Sequence, residues 1–176
     1  ADADRLAWAR PLAEPLQDRA AASQREVYAL EQVLIAAEPE RELKLQAVRI
    51  GELGLTAMPN EVYAITGLKL KAQSPLRATF NVELANGADG YIPPPEQHFL
   101  GGYTTWAART AGLEVKAEPK IVETVLGLLE TVAGAKRRPL VDTHGPYASA
   151  VLASRPHAFW RLNEINPPTA ADATGR

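Results

Sequence analysis

Cysteine is absent from the 176 residues. That excludes disulfides and thiolate metal sites and leaves the redox compartment undetermined. No apolar run reaches the ~18 residues of a membrane span, so the chain is read as not membrane-spanning. The opening Ala1-Asp2-Ala3-Asp4 is acidic, lacks the apolar core of a signal peptide and has no initiator Met. The chain is therefore expected to be cut from a longer polypeptide. An excess of one charge sign is missing too: 19 Lys plus Arg face 21 Asp plus Glu, a formal net charge of −2. Nucleic-acid binding needs a clustered basic surface that displaces counterions. The only basic cluster, Lys136-Arg137-Arg138, falls in an expected loop and is read as solvated linker charge. Nucleic acid is thereby left out of the expected partners.

Histidine is scarce. His98, His144 and His157 include no pair at the close helical spacing of a zinc motif. Each is read as a surface residue, with His98 at the rim of a site. Ser23, Ser74, Ser149 and Ser154 lie outside any Gly-x-Ser-x-Gly elbow. Gly87, Gly90, Gly101 and Gly102 are too dispersed for a phosphate-binding loop.

What is present fits a globular domain: 46% hydrophobic and 23% charged residues. Residues 1–40 are rich in good helix formers, with an apolar face through Val27, Leu30, Val33 (or Leu34) and Ala37, and with Pro11 and Pro15 breaking an earlier helix. From Glu42 the period changes to two, as Leu43, Leu45 and Ala47 alternate with polar residues. This predicts a strand over 43–50, a turn at Gly51-Glu52 and a second strand over 53–58. A helix over 61–71 and a strand over 79–85 complete a strand–helix–strand unit of the kind that joins parallel strands. Residues 88–112 form a long irregular segment whose aromatic residues argue for order. A helix opens at Pro119 and is capped by Gly134. A short helix over 147–154 and a strand over 157–162 are expected in the tail. The fold class read from this pattern is α/β: a mixed sheet with a strand–helix–strand unit and flanking helices, incomplete at both ends.

In such sheets ligands gather at the carboxyl ends of the parallel strands. Glu61 and Tyr91 emerge there, Glu61 at an expected helix N-terminus that favours a carboxylate. Gly101-Gly102 ahead of Tyr103 suggests a close backbone approach. Taken singly, Glu61 also reads as a helix cap, and the two tyrosines as packing aromatics.

Together these residues carry a resemblance. The stretch from Leu45 to Glu61 (LQAVRIGELGLTAMPNE), the stretch from Glu83 to Pro93 (ELANGADGYIP) and Gly101-Gly102-Tyr103 resemble the late catalytic-domain segment of the neutral/alkaline ceramidases and their bacterial relatives. The resemblance covers roughly residues 25–134. It implies that Glu61 and Tyr91 are ligands of a Zn2+ ion and that Tyr103, twelve positions after Tyr91, helps bind the oxyanion of a cleaved amide. It also implies an amide-containing lipid or other small amide as substrate, and an extracytoplasmic or secreted location. Two departures stand out. Asn60 occupies a position where the family usually has Gly, a substitution attributed to the tolerance of Asn for unusual backbone angles. No histidine precedes Glu61, whereas the family takes two histidine ligands and a serine region from upstream. The expected partner is therefore the upstream half of the same polypeptide; otherwise the metal site is lost.

The tail resembles another family. YASAVLASRPHAFWRLNE over 147–164, followed by ADATG over 171–175, resembles the opening of a laminin-G-like, concanavalin-type jelly roll. Such domains bind glycans or proteins. The organisation expected is a partial ceramidase-like catalytic domain over 1–134, a linker over 135–146 and a truncated jelly-roll start over 147–176. The competing reading is a non-catalytic scaffold segment of a sugar- or protein-binding surface protein.

Overall fold

The computed structural model describes residues 3–139, 145–161 and 170–175, and the chain divides into two compact units, Ala1–Arg138 and Pro139–Arg176. The first unit opens with α1 (Ala3–Ala13), a 3-10 turn (Glu14–Gln17) and α2 (Gln24–Ala37). Pro11 lies inside α1 rather than breaking it. Its ring opposes helix continuation, and α1 runs only two residues further before tightening into the 3-10 turn. Ser23 caps α2, its hydroxyl accepting from the Glu26 amide at 3.3 Å, while the Glu26 carboxylate accepts from the Ala22 amide at 2.7 Å. The two helices pack on each other, with Ala9 and Ala29 fully buried.

A three-stranded mixed sheet follows, built from β1 (Gln46–Ile50), β2 (Leu53–Ala57) and β4 (Ala78–Val82) in the order β1-β2-β4. β1 returns antiparallel onto β2 through Gly51, whose φ of +60° is open to glycine at no steric cost. β2 and β4 are parallel, connected by α3 (Ala64–Gln73). Two further short strands, β3 (Glu61–Val62) and β5 (Tyr91–Ile92), form a second parallel pair. Helix α4 (Pro95–Leu100) and two 3-10 turns order the segment after β5. Helix α5 (Ala117–Ala133) closes the layer, ending at Gly134 in the left-handed region with φ +66°. The fold of this unit is therefore α/β, with parallel and antiparallel pairings in one sheet and helices beside it.

Both α3 and α5 lie on one face of the sheet, because they touch each other and share one apolar cluster. Met58, Leu70, Ile92, Val125, Leu126 and Leu129 are its fully buried members, and Leu43, Leu45 and Ala47 reach it from the strand side. Gly54 sits beneath this cluster: a Cβ there would meet Leu76 Cδ1 at 2.9 Å and Leu129 Cδ2 at 3.2 Å. One charge is buried among the apolar residues. Glu118, in the first turn of α5, accepts from Thr66 Oγ1 at 2.8 Å and from Lys69 Nζ at 3.0 and 3.1 Å. Its side chain is fully buried, while Lys69 keeps 27% exposure.

Several boundaries differ from those the sequence predicts. The helix expected from Glu61 starts at Ala64, because 61–62 is drawn into the pairing with β5. The helix expected to open at Pro119 starts two residues earlier. The basic cluster is not simply solvated. Arg137 pairs with Glu123 at 2.8 Å and Glu130 at 3.2 Å. Arg138 donates its amide to the Gln73 carbonyl and its guanidinium to the Lys71 carbonyl, each at 2.8 Å. Carbonyls at the end of α3 lack intrahelical partners, and Arg138 satisfies them. The first residues of the expected linker thus belong to the first unit, and 140–144 lie outside the described residues.

In the second unit, α6 (Gly145–Ala153) occupies the place of the expected short helix. Among the described residues, the strand expected over 157–162 contributes one antiparallel bridge, Trp160 to Asp172, and residue 162 lies outside them. Asp172 Oδ1 accepts from the Phe159 and Thr174 amides at 2.9 and 3.0 Å.

Two tests follow from these contacts. Replacing Glu118 by Ala leaves Thr66 Oγ1 buried without its partner, and removing one member of a buried pair typically costs about 3–5 kcal/mol. Because Lys69 reaches solvent, the expected loss in denaturant unfolding is toward the lower end of that range. The second concerns acid. Arg19 and the Ala22 amide lower the Glu26 carboxyl from 4.5 to about 2. The hydrogen bond from Arg109 lowers Glu31, and that from Arg137 lowers Glu130. A folded pKa below the unfolded value contributes stability above the ordinary carboxylate range that is lost as pH falls through the folded values. The melting temperature should therefore fall between pH 5 and pH 2.5, and Glu31→Gln should flatten that profile. Salt should weaken the effect, since the Arg19 and Arg109 partners are exposed.

Candidate functional site

The ladder between the parallel strands does not stop at β2 and β4. The Met58 amide donates to Val82 O at 3.1 Å, the Ala85 amide to Met58 O at 3.0 Å and the Leu84 amide to Asn60 O at 3.2 Å. The chain from 86 to 89 then swings out and comes back, and the Glu61 amide donates to Gly90 O at 3.0 Å. One strand edge, 58–62, is thus paired first with 82–85 and then with 90–92. This change of partner puts Glu61 opposite Tyr91 in register. Parallel neighbours lie about 4.8 Å apart, and register partners project to the same face.

Gly90 makes the return possible. Its φ is +75°, and a Cβ there would stand 2.4 Å from the Thr110 carbonyl oxygen. Asn60 holds the same turn from the other side. It is buried, and its Nδ2 donates to the carbonyls of Asp89 at 3.1 Å and Gly90 at 3.3 Å. The expectation that Asn60 tolerates an unusual backbone is corrected here, because Asn60 is not among the positive-φ residues. It is a side-chain brace for the loop that delivers Tyr91.

Tyr103 arrives from a separate turn. Gly101 and Gly102 have φ of +74° and +98°, and no atom lies within 4 Å of a Cβ built on either. Glycine is required there by backbone angle and not by close approach, which corrects the sequence expectation. The 3-10 turn Tyr103–Thr105 is held by a 2.7 Å hydrogen bond between Tyr63 OH and Thr104 Oγ1. Tyr103 OH then lies 3.3 Å from Tyr91 OH, and the rings meet edge to face with centroids 5.4 Å apart.

Glu61, Tyr91 and Tyr103 are therefore brought together at the carboxyl end of the parallel pairing. The phenol of Tyr91 meets that of Tyr103 and lies near the Glu61 carboxylate, and these two neighbours push its pKa well above the ordinary phenol range. A nearby cation would reverse this effect, since bound ions favour the charged oxygen form. Tyr103 is 62% exposed and open to a ligand from solvent. Glu61 does not cap a helix: the residue at the N-cap of α3 is Tyr63, and its side chain makes no capping bond.

The remaining candidates are more distant from chemistry. His98 is half-buried on α4, His157 is exposed in the second unit, and His144 lies outside the described residues. Among the described residues no group of three or more His, Asp or Glu side chains could hold a metal ion. Zinc takes three or four protein ligands. Glu61 and Tyr91 together offer two oxygen donors, fewer than that number. Two further residues went unnoticed in the sequence. Glu83 accepts from the Val62 amide at 3.0 Å and closes the exposed edge of β3, and Tyr63 positions the turn of Tyr103. A Glu and a Tyr one residue away from an apolar position give no signal of such roles.

Comparison with protein-family models, with curated proteins and with solved structures finds no match to this chain.

Tyr63→Phe tests the turn. It removes one hydrogen bond, worth about 1 kcal/mol, and frees the turn bearing Tyr103. The expected result is a small fall in stability together with loss of the Tyr91–Tyr103 ring contact, read as averaged ring proton signals of both residues in NMR spectra.

Proposed function

We propose that this chain is the C-terminal part of a zinc-dependent amide hydrolase resembling the neutral/alkaline ceramidases. The single observation that carries the reading is the convergence of Glu61, Tyr91 and Tyr103 at one strand end. In this proposal Glu61 and Tyr91 hold Zn2+ jointly with two histidines from the upstream half of the same polypeptide. The ion, when bound, supplies a Lewis acid and a water of lowered pKa.

The chain's own residues do the rest. Glu61 gives a hard, anionic oxygen and Tyr91 a polarisable one beside it. Tyr103, through its contact with Tyr91, carries its hydroxyl at the solvent-facing side of the pair, where it donates to the oxygen of a substrate amide as charge develops there. Its turn is preorganised by Tyr63 and Thr104, so little reorganisation accompanies that donation. Phe99 and Leu100, both exposed and just ahead of Gly101, suit the apolar tail of an amide-containing lipid; another small amide is the wider substrate class. The second unit is proposed to open a laminin-G-like jelly roll that binds a glycan. The Trp160–Asp172 bridge supports this, because it joins the two segments that carry the resemblance. An extracytoplasmic or secreted location rests on the resemblance alone.

The test uses the polypeptide expressed from its complete reading frame. Zinc content and release of fatty acid from an N-acyl sphingoid substrate are measured for the wild type and two variants. Glu61→Ala is expected to lose the metal and all activity. Tyr103→Phe is expected to keep the metal and lose about 10²- to 10³-fold in kcat, the usual size for one oxyanion donor. Full zinc content in Glu61→Ala, or a wild type free of zinc, would put the scaffold reading in front.

A further inference from the structure

A cavity of about 640 Å³ lies between the end of α2, the chain from Glu38 to Leu43 and the start of α5. Glu61, Tyr91 and Tyr103 are outside its lining. Its size is that of a small-molecule site, since such pockets run to ~300–1,000 Å³. The walls are apolar: Leu34 and Ile35 of α2, Leu43, Leu113, and Ala117 and Ile121 of α5. Leu34, Ile35, Leu43 and Leu113 are only half-buried, so the first unit does not fill this space with its own side chains.

The charges around the mouth decide what the cavity takes. Its lining holds three cations, Arg41, Arg109 and Lys120, and four carboxylates, Glu38, Glu40, Asp89 and Glu114. Each cation is already neutralised: Arg41 by Asp89 at 3.1 Å, Arg109 by Glu31 at 2.8 Å, and Lys120 by Glu114. Glu38 and Glu40 make no ion pair among the described residues, and Glu38 acts on Arg109 only at longer range. An entering anion would have to break one of the three pairs and approach two unneutralised carboxylates. An entering cation breaks nothing. The backbone agrees. The last carbonyls of a helix carry partial negative charge and lack intrahelical donors. Pro39 has no amide to give to the Ile35 carbonyl. Among the described residues no backbone amide beyond α2 reaches the carbonyls of Ala36 and Ala37 either. The first turn of α5, at the opposite wall, favours negative charge, but its own Glu118 already answers that preference.

We propose that this cavity binds a small organic cation: a protonated amine on a compact apolar body, with the ammonium at Glu38, Glu40 and the carboxyl end of α2, and the body against Leu43, Leu113 and Ile121. The body contributes affinity through the apolar area it removes from water. The ammonium contributes selection through charge-assisted hydrogen bonds. The site is separate from the convergence of Glu61, Tyr91 and Tyr103, and it needs neither a metal nor a hydrolytic reaction.

Three probes of similar shape separate charge from apolar contact: phenethylamine is cationic at neutral pH, phenethyl alcohol is neutral and hydrocinnamate is anionic. Each is titrated into the 176-residue chain while backbone amide shifts are followed by NMR. Phenethylamine should move the amides of Ile35, Leu43 and Leu113 saturably. It should bind about 10- to 100-fold more tightly than either of the other probes, the size of one charge-assisted hydrogen bond. The double variant Glu38→Gln, Glu40→Gln keeps side-chain shape at two exposed positions. It should lose the preference for the amine and leave the affinity for the alcohol unchanged, with an unaltered melting temperature as the check on folding. Leu113→Trp, which fills the cavity, should abolish binding of the amine. Glu61→Ala should bind phenethylamine as the wild type does, so failure of the hydrolase reading leaves this proposal standing. Four results overturn it: no saturable shift with phenethylamine, hydrocinnamate binding as tightly as the amine, undiminished amine affinity in the double variant, or shifts confined to the surroundings of Tyr91 and Tyr103.

Discussion

One backbone ladder governs this molecule. The strand edge from Leu53 to Val62 pairs in parallel first with Ala78–Val82 and then, after an excursion, with Tyr91–Ile92. Parallel pairing forces a crossover connection, and α3 supplies it. The crossover buries Leu70 and Thr66 against α5, and this in turn fixes where the first turn of α5 and its Glu118 must lie. Three further placements follow from that geometry: the core between the sheet and the two helices, the latch of Arg138 on the end of α3, and the meeting of Glu61 with Tyr91.

The buried ion pair of Glu118 and Lys69 deserves a physical account, since apolar residues could fill the same space. Buried pairs gain little net stability against a hydrophobic replacement of similar volume. What this pair does provide is direction. Among the described residues Glu118 accepts from Thr66 and Lys69, which lie three residues apart on one face of α3. A slip of α5 along α3 would leave the carboxylate buried with no partner, at the full cost of desolvating a charge. The apolar contacts alone tolerate such a slip far better. The pair therefore sets the position of α5 over the strands, and with it the depth at which Leu129 meets Gly54.

The fold was legible where the sequence period was strong. The tight turn at Gly51 and the strand–helix–strand pattern correspond to elements of the structure, while the alternation at Leu43, Leu45 and Ala47 leads into a strand that begins only at Gln46. The convergence was legible in part: a strand end, the twelve-residue tyrosine spacing and the glycines pointed to Glu61, Tyr91 and Tyr103, which the structure brings together. What the sequence concealed was non-local. Glu61 was read as opening a helix because nothing nearby reveals that its neighbours pair with a strand thirty residues on. Pro11 was read as a breaker, although near a helix end it costs only the last turn. Arg137 and Arg138 look like linker charge until the carbonyls they serve, from Lys71 and Gln73, are brought beside them. Glu83 and Tyr63 act through contacts made only after the ladder has formed.

The same ladder explains how the candidate site is held. It orders two oxygen donors and one hydroxyl with considerable backbone support, including a glycine that admits no side chain and a buried asparagine that braces the loop. Such support is more than a solvent-exposed Glu–Tyr contact requires for its own stability, because an exposed hydrogen bond contributes little. The Tyr91 phenol, flanked by a carboxylate and a second phenol, is held in its protonated form. That arrangement disfavours negative charge on Tyr91 unless a positive charge is supplied.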